Sequence, residues 1–115
     1  MNEDIIRLAG VSKDYFLGKV KVSALRGVSL NIGRGEFLSI KGPAGSGKTT
    51  LLNIIGLIDT ATDGQVILDN EDITRQSDKI LTRLRLYKIG FIFQTFNLIP
   101  VLNVLENIEF PLLLM

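Results

Sequence analysis

Residues 42–50 read Gly42-Pro43-Ala44-Gly45-Ser46-Gly47-Lys48-Thr49-Thr50 and match the phosphate-binding pattern G-x-x-x-x-G-K-[ST]. Glycine lets the backbone curl, so that consecutive N–H groups point at an anionic group. A helix that begins at such a loop aims the positive end of its dipole at the same group. Lys48 adds a mobile positive charge, and the Thr49 hydroxyl is a suitable ligand for Mg²⁺. All nine residues are therefore candidates for binding a triphosphate.

The sequence on both sides of this loop supports that interpretation. Residues 36–41 have the apolar content of a short strand and lie between two glycines. Residues 49–55 predict a helix that ends at Gly56, a favourable C-cap. A glycine-rich turn before a buried helix is the alternative. The order strand, loop, helix favours the phosphate-binding loop, because that motif requires this context.

Length and composition limit the remaining possibilities. With 115 residues and 46% apolar content, the chain forms at most one domain and has enough apolar residues for a core. A net charge of +1 gives no reason to expect a nucleic-acid partner. The sequence has neither cysteine nor histidine, which excludes disulfides, thiolate zinc sites and the commonest general base. We find no apolar run long enough for a membrane span and no secretory segment, so we expect a cytoplasmic chain that could still dock onto a membrane protein.

The rest of the sequence alternates between strand and helix patterns. We predict a mostly β region before the loop, with strands at residues 5–11, 20–22 and 24–32, and another strand at residues 65–68. Asp69-Asn70 favours a turn, and residues 78–88 have apolar side chains at helical spacing. Residues 89–93 are continuously apolar, as in a buried central strand, and residues from 104 to Pro111 predict a helix. The predicted fold class is therefore α/β.

Taken together, these features resemble a known family. The phosphate loop, an early aromatic residue at Tyr15 and Gln94 after the apolar strand make the chain similar to the N-terminal half of an ABC transporter ATP-binding subunit. Residues 89–100 and 103–107 are most similar to the subgroup that serves lipoprotein release and macrolide efflux. The resemblance implies a P-loop NTPase fold of the ABC type, with an antiparallel β layer and a mostly parallel sheet flanked by helices.

The resemblance also implies roles for individual residues, with ATP and Mg²⁺ as cofactors. Tyr15 would stack on adenine, although Phe16 competes for that role and Tyr15 could instead be a core aromatic. Gln94 would act in catalysis by contacting Mg²⁺ and the attacking water, because its amide both donates and accepts. A polar cap on the preceding strand is the alternative for Gln94. Thr49 and Gln94 are thus the two metal-ligand candidates.

The same family would supply the partners. We expect transmembrane permease subunits and a second ATP-binding subunit, which places the chain on the inner face of the cell membrane through the permease. Phe96, Leu98 and Ile99 follow Gln94 on a predicted loop. Packing in the domain's own core is a poor explanation for apolar side chains on such a loop. We therefore predict that this segment contacts the membrane partner.

Several family elements have no counterpart in the sequence. Val66-Ile67-Leu68-Asp69 resembles a Walker B strand, but Asp69-Asn70 suits a turn and no glutamate follows Asp69 directly. The signature motif, Walker B carboxylate, catalytic glutamate and switch histidine are all expected beyond Met115. We therefore interpret residues 1–115 as a partial nucleotide-binding domain, cut off mid-domain, with exposed apolar faces, weak nucleotide binding and no turnover. A non-catalytic truncated module that binds the transmembrane partner, or another P-loop enzyme such as a nucleotide kinase, are the alternatives.

Overall fold

The computed structural model describes residues 3–92, 101 and 103–113, which form four strands and three helices. In chain order these elements are β1 (Asp4–Leu17), β2 (Val20–Gly33), α1 (Lys48–Ile55), β3 (Asp63–Leu68), β4 (Glu71–Asp72), α2 (Asp78–Lys88) and α3 (Val104–Leu113). The strands build one antiparallel sheet in the order β2-β1-β3-β4. The predicted antiparallel layer before the phosphate loop is therefore confirmed, and β3 joins it from beyond the loop.

The β1–β2 hairpin is longer than the sequence pattern predicts. We predicted a first strand that ends at residue 11 and two separate strands at residues 20–22 and 24–32. Instead, β1 runs on to Leu17 because β2 pairs with it along its length, with Tyr15 opposite Val22 and Leu17 opposite Val20. The two predicted strands at residues 20–22 and 24–32 are one continuous element. Cross-strand hydrogen bonds thus extend the sheet beyond the region of clear apolar alternation.

One apolar core joins the sheet to α1 and α2. Leu8 and Val11 of β1 are among its most buried side chains, with Ile54 contributed by α1 and Leu81 by α2. The buried members of the cluster are Leu8, Val11, Leu25, Ile54, Leu57, Val66, Leu68, Ile73 and Leu81. Because α1 carries the end of the phosphate loop, its packing on the sheet fixes that loop relative to β1 and β2.

The helix ends follow ordinary capping chemistry. α2 covers the predicted residues 78–88 and begins at Ser77, whose hydroxyl accepts a hydrogen bond from the Ile80 amide at 3.4 Å. At the start of α3, Asn103 and Glu106 bond reciprocally, each side chain accepting from the other's amide, at 2.8 and 3.0 Å. None of the helices in the described ranges is long and apolar enough to cross a membrane.

The ends of α1 and α3 differ in how well the sequence predicts them. Gly56 is the C-cap of α1, as predicted, and its amide donates to Leu52. The prediction that the last helix ends at Pro111 is wrong, since α3 continues to Leu113. A proline removes one backbone donor, which interrupts a helix less when only the last turn is affected.

The predicted parallel strands are not formed in the described part of the chain. Residues 36–43 and 89–92 have no regular secondary structure, and Phe93 lies outside the described residues. A strand requires a hydrogen-bonded neighbour, and none of the described segments pairs with either stretch. The prediction of a buried central strand at residues 89–93 is therefore wrong for residues 90–92, which are exposed because no described strand covers them.

These stretches leave apolar surface exposed, as we predicted for a partial domain. Phe37 and Ile92 are fully exposed to solvent. A groove of about 770 Å³, lined in part by Ile92, also contains Leu52 and Ile55 of α1 together with Ile89 and Phe91. The prediction of exposed apolar faces is therefore confirmed for the described residues.

The turn predicted at Asp69-Asn70 is present, and Asp69 ties three parts of the chain together. Both residues have positive φ, 50° and 67°, which Asp and Asn tolerate better than most residues. The Asp69 carboxylate accepts from the Arg34 guanidinium and from Lys88 Nζ at 3.2 Å. Arg34 above all, and then Lys88, holds the pKa of Asp69 below its usual value. This carboxylate therefore has a structural role, which agrees with our rejection of residues 66–69 as a Walker B strand.

We expect acid to weaken the fold through Asp69. Because its folded pKa is lowered, its contribution to stability is fully present above the ordinary aspartate pKa of about 3.9. That contribution is lost as the pH falls through the folded value. Asp69→Asn should lower the urea midpoint at neutral pH and make the midpoint less dependent on pH in the acid range. Arg34→Gln should reproduce part of this effect, and a steeper acid dependence in Asp69→Asn would contradict the prediction.

Candidate phosphate-binding site

The phosphate loop leads directly into α1. The Ser46 amide donates to the Pro43 carbonyl at 3.2 Å, which closes a turn in the middle of the loop. Gly47 is the N-cap of α1, with φ 93°, and its carbonyl accepts the first helical bond from Leu51 at 2.9 Å. A left-handed φ of this size is natural for glycine and strained for other residues. The backbone therefore reverses direction at Gly47 and enters the helix at once.

Gly47 is also where the loop rests on the sheet. A Cβ atom on Gly47 would lie 2.6 Å from the Ala24 carbonyl oxygen and 3.1 Å from Leu25 Cδ2, both in β2. Only a hydrogen atom fits between the loop and this strand. Within the loop, a Cβ on Gly42 would meet Ser46 Oγ at 2.6 Å. The two motif glycines thus permit two close approaches, one to β2 and one inside the loop.

The Lys48 side chain folds back over the loop. Its ammonium group donates to the Gly42 carbonyl and to the Pro43 carbonyl, the latter at 3.3 Å. These carbonyls belong to the first two residues of the motif, so the charge lies over the loop and not out in solvent. An ammonium group in this position can exchange carbonyl acceptors for the oxygens of an anion.

The first turn of α1 keeps its amide donors available. Among the described residues, no side chain caps this helix end and no acidic residue lies in its first turn. Thr49, the next residue of the motif, is exposed. Uncapped N–H groups at a helix start attract anions through hydrogen bonds and the helix dipole. The loop, the helix start and Lys48 therefore combine in one electropositive region.

Tyr15 lies near this helix start, in the second half of β1. Its hydroxyl donates to Asp59 Oδ2 at 2.7 Å, with the Thr50 side chain of α1 nearby. The hydrogen bond to Asp59 and then burial raise the pKa of Tyr15 above its usual value. Phe16 has Lys21 as its cross-strand partner, on the opposite face of the hairpin, and its side chain is 67% exposed. The structure thus brings Tyr15, but not Phe16, to the side where α1 begins.

Two residues of this region were missed by our sequence interpretation. Lys13 shares the Tyr15 face of β1, and its ammonium lies 3.0 Å from Asp59 Oδ1. Alternation along the strand would have placed Lys13 beside Tyr15. Asp59, by contrast, follows α1 and is 44 residues from Tyr15 in sequence. No local pattern joins residues so far apart.

Other predicted site residues cannot be placed. Gln94, the catalytic and metal-ligand candidate, lies outside the described residues, as do Phe96, Leu98 and Ile99. Their assigned roles therefore remain predictions.

The chain is similar to known proteins over most of its length. The family described as ABC transporter matches residues 25–112. The chain is 52% identical over 109 residues to an uncharacterized ABC transporter ATP-binding protein, MJ0796, of Methanocaldococcus jannaschii, and covers 95% of itself and 46% of that protein. It is 45% identical to the lipoprotein-releasing system ATP-binding protein LolD 1 of Rhodopseudomonas palustris, covering 96% of itself and 49% of the relative.

Solved structures agree with these relatives. A dimeric structure of the MJ0796 cassette, in a post-hydrolysis state bound to ADP and Pi, superposes with a TM-score of 0.88 at 51% identity, over 95% of this chain and 47% of that one. The chain thus spans about half the length of these relatives. The predicted fold class, a P-loop fold of the ABC type, is confirmed by this superposition. The phosphate loop, the antiparallel layer and the family match together establish that the chain belongs to the ABC transporter ATP-binding family.

Proposed function

We propose that this chain is the nucleotide-binding part of an ABC transporter ATP-binding subunit, and that residues 42–50 hold the triphosphate of ATP. One observation carries the proposal: α1 begins at Gly47 uncapped by any described side chain, with the Lys48 ammonium folded over the loop beside it. Amide donors and a mobile cation at one helix start are suited to a polyanion. The structure of MJ0796 bound to ADP and Pi supports this assignment.

The adenine would stack on Tyr15. This ring lies beside the start of α1, where its hydroxyl donates to Asp59 and has Thr50 nearby. An aromatic ring stacks on a purine without sequence-specific hydrogen bonds, which suits a site that takes most of its affinity from the phosphates. Base and phosphate would then be held by two elements, β1 and the loop before α1.

The residues present fit Mg²⁺ as a companion of the nucleotide. Thr49 offers an exposed hydroxyl, and Gln94 is the second ligand that we propose. Within the described ranges, no cluster of three or more acidic residues could form a metal site by itself. Mg²⁺ commonly keeps water and phosphate oxygens as most of its ligands, so few protein ligands are needed. When bound, the ion would neutralise charge on the phosphates.

Family relatives suggest the partners. LolD 1 is named as the ATP-binding protein of a lipoprotein-releasing system, and a relative from Syntrophobacter fumaroxidans, 43% identical over 95% of this chain and 15% of its own length, is named a macrolide export ATP-binding/permease protein. The MJ0796 structures are dimeric. We infer that the complete subunit pairs with a second ATP-binding subunit and with transmembrane permease subunits on the inner face of the cell membrane.

The 115 residues by themselves should bind nucleotide without sustained turnover. They contain the phosphate loop, which is the Walker A motif, and Gln94. We identify no signature motif, Walker B strand or catalytic glutamate among them, and they include no histidine. Phosphoryl transfer to water requires a group that orients the water and a carboxylate that helps hold Mg²⁺. We therefore regard residues 1–115 as the part of the domain that recognises ATP.

Binding measurements on Lys48→Ala test this proposal. Hydrogen bonds to charged groups contribute roughly 1.5–3 kcal/mol, so the variant should bind ATP about 10- to 100-fold more weakly. Lys79→Ala, which removes the same charge from an exposed residue of α2, is the matched control and should bind as the unmodified chain does. Equilibrium dialysis with labelled ATP and Mg²⁺ gives the dissociation constants, and phosphate release in the same samples reports turnover.

Each outcome separates the alternatives. Equal ATP affinity in Lys48→Ala and Lys79→Ala would remove the phosphate loop from the proposal. No ATP binding together with specific binding to a transmembrane partner would favour the non-catalytic module. A clear ATPase rate that disappears in Lys48→Ala would show that the 115 residues are catalytic, against our expectation.

A further inference from the structure

A cluster of charged and polar groups surrounds Tyr15 and takes no part in the phosphate loop. The Tyr15 hydroxyl donates to Oδ2 of Asp59 at 2.7 Å, while Lys13 Nζ lies 3.0 Å from the other carboxylate oxygen. A single carboxylate therefore holds both side chains, one with each oxygen. Lys13 and Tyr15 are two residues apart on β1, and their shared contact with Asp59 shows that both project from the same face of the strand.

The carboxylate at the centre of this cluster is itself held in place. The Thr60 amide donates to Asp59 Oδ1 at 2.8 Å, and Lys13 Nζ donates to the Thr60 carbonyl at 2.7 Å. The segment that follows is tied to β1 as well, since the Thr62 amide donates to the Ser12 carbonyl at 2.8 Å. Asp59 thus cannot turn away from Tyr15 without breaking several hydrogen bonds.

Partial burial strengthens these contacts. The side chain of Lys13 is 14% exposed and that of Asp59 is 28% exposed. Burial alone would raise the pKa of Asp59, but hydrogen bonds from Tyr15, Lys13 and the Thr60 amide outweigh it and leave the pKa below the usual value. The carboxylate is therefore ionised at neutral pH and remains a strong acceptor for the Tyr15 hydroxyl.

Lys13 also lies over the aromatic ring. Its Nζ is 5.3 Å from the centroid of Tyr15, within the range of a cation–π contact. The ring is consequently held at its hydroxyl by Asp59 and on one face by Lys13. A planar ligand can then stack only on the other face.

We propose that Asp59 and Lys13 are positioning residues, which fix the half-buried Tyr15 ring so that the face opposite Lys13 stacks on a nucleotide base. This inference rests on the proposed function, in which Tyr15 stacks on the base of ATP. A ring that is already fixed loses no further rotational freedom when the base arrives, so more of the stacking energy appears as affinity. The cluster would thus act on the base and leave the triphosphate to the loop.

A purely structural role makes a different prediction. If the cluster only ties the segment after α1 to β1, its loss should lower stability and weaken every ligand equally. If it positions the ring, its loss should weaken ATP and spare inorganic tripolyphosphate, which has no base. The ratio of the two dissociation constants therefore distinguishes the two roles.

The experiment compares Asp59→Ala, Asp59→Asn and Tyr15→Phe in the full 115-residue chain. We expect Asp59→Ala to bind ATP about tenfold more weakly, with the tripolyphosphate constant changed less than about twofold, since one charge-assisted hydrogen bond is lost. Asp59→Asn keeps an oxygen that accepts from the hydroxyl and should recover part of the affinity. Asp72→Asn, which removes a carboxylate of β4 that accepts from Thr74 and not from Tyr15, is the matched control and should bind both ligands as the unmodified chain does.

Combining the substitutions tests whether the two residues act together. Tyr15→Phe removes the hydroxyl that donates to Asp59. Adding Asp59→Ala to Tyr15→Phe should therefore weaken ATP binding much less than Asp59→Ala does in the unmodified chain. In a Tyr87→Phe background only Tyr15 contributes to the phenol titration. There, Asp59→Ala should move its midpoint to lower pH, because the carboxylate is the main cause that raises the pKa of Tyr15.

The outcomes separate this inference from the proposed function. Equal weakening of ATP and tripolyphosphate, or fully additive effects of Tyr15→Phe and Asp59→Ala, would overturn the positioning role alone. If the unmodified chain bound neither ligand, the proposed function would fail and the inference with it. If it bound both with equal affinity, stacking on Tyr15 would be excluded while the phosphate loop stood.

Discussion

Gly47→Ala is expected to abolish measurable ATP binding while leaving the sheet intact. Two costs act together at this position. The φ of 93° is left-handed, which costs a non-glycine residue about 1–3 kcal/mol. In addition, the new Cβ would lie 2.6 Å from the Ala24 carbonyl oxygen, a backbone atom of β2 that is held by the sheet and cannot move aside cheaply. The loop must therefore leave its position, and the start of α1 must move with it.

The control for this prediction is in the same loop. Gly45 also has a left-handed φ, 81°, but a Cβ there would meet no atom within 4 Å. Gly45→Ala thus carries the conformational strain without the collision. We expect Gly45→Ala to weaken ATP binding about 5- to 20-fold and Gly47→Ala to weaken it beyond about 100-fold, measured by the same dialysis. Far-UV circular dichroism checks that both variants keep their secondary structure.

If the two variants bound ATP equally well, the close approach to Ala24 would not matter to the site. In that case the left-handed backbone alone would explain the glycine in this position of the motif. A Gly47→Ala variant that bound ATP normally would contradict the loop geometry itself.

Much of this architecture could be predicted from local sequence, because local forces determine it. α2 has the predicted bounds, since Ser77 caps its start and apolar residues recur at helical spacing. The phosphate loop was predicted from its glycines and Lys48, and the turn at Asp69 from the ability of Asp and Asn to take positive φ. In each case the residues that decide the structure are neighbours in the chain.

The features that we predicted wrongly or missed depend on residues that are far apart in the sequence. Residues 36–41 have a strand-like sequence but no paired neighbour in the described part of the chain, so local pattern predicted what only a distant partner could complete. The contact of Asp59 with Tyr15 spans 44 residues, and that of Gly47 with Ala24 crosses from loop to sheet. Tertiary contacts of this kind hold the phosphate loop and the Tyr15 ring in position, and they leave no periodic pattern in the sequence.

Gly64, like Gly47, lies very close to backbone atoms of a neighbouring strand. We therefore expect Gly64→Ala to destabilise the sheet strongly. Gly64 lies at the start of β3 with φ 92°, and a Cβ there would be 2.4 Å from the Gly10 carbonyl oxygen and 2.7 Å from that of Ala9. Both atoms are backbone of β1, beside the irregularity in pairing between Ala9 and Ser12. Relieving the collision requires β1 and β3 to separate where they enclose the core residues Leu8 and Val66.

We expect Gly64→Ala to lower the free energy of unfolding by about 3 kcal/mol or more, from left-handed strain together with displaced backbone. Gly18→Ala is the matched control, because Gly18 has φ 64° in the β1–β2 turn and nothing within 4 Å of its Cβ position. It should cost about 1–2 kcal/mol, the strain alone. Urea unfolding followed by far-UV circular dichroism measures both. Equal destabilisation by Gly64→Ala and Gly18→Ala would mean that the β1 backbone can shift at Gly10 to make room for the new Cβ. The sheet would then be more deformable than its close contacts indicate.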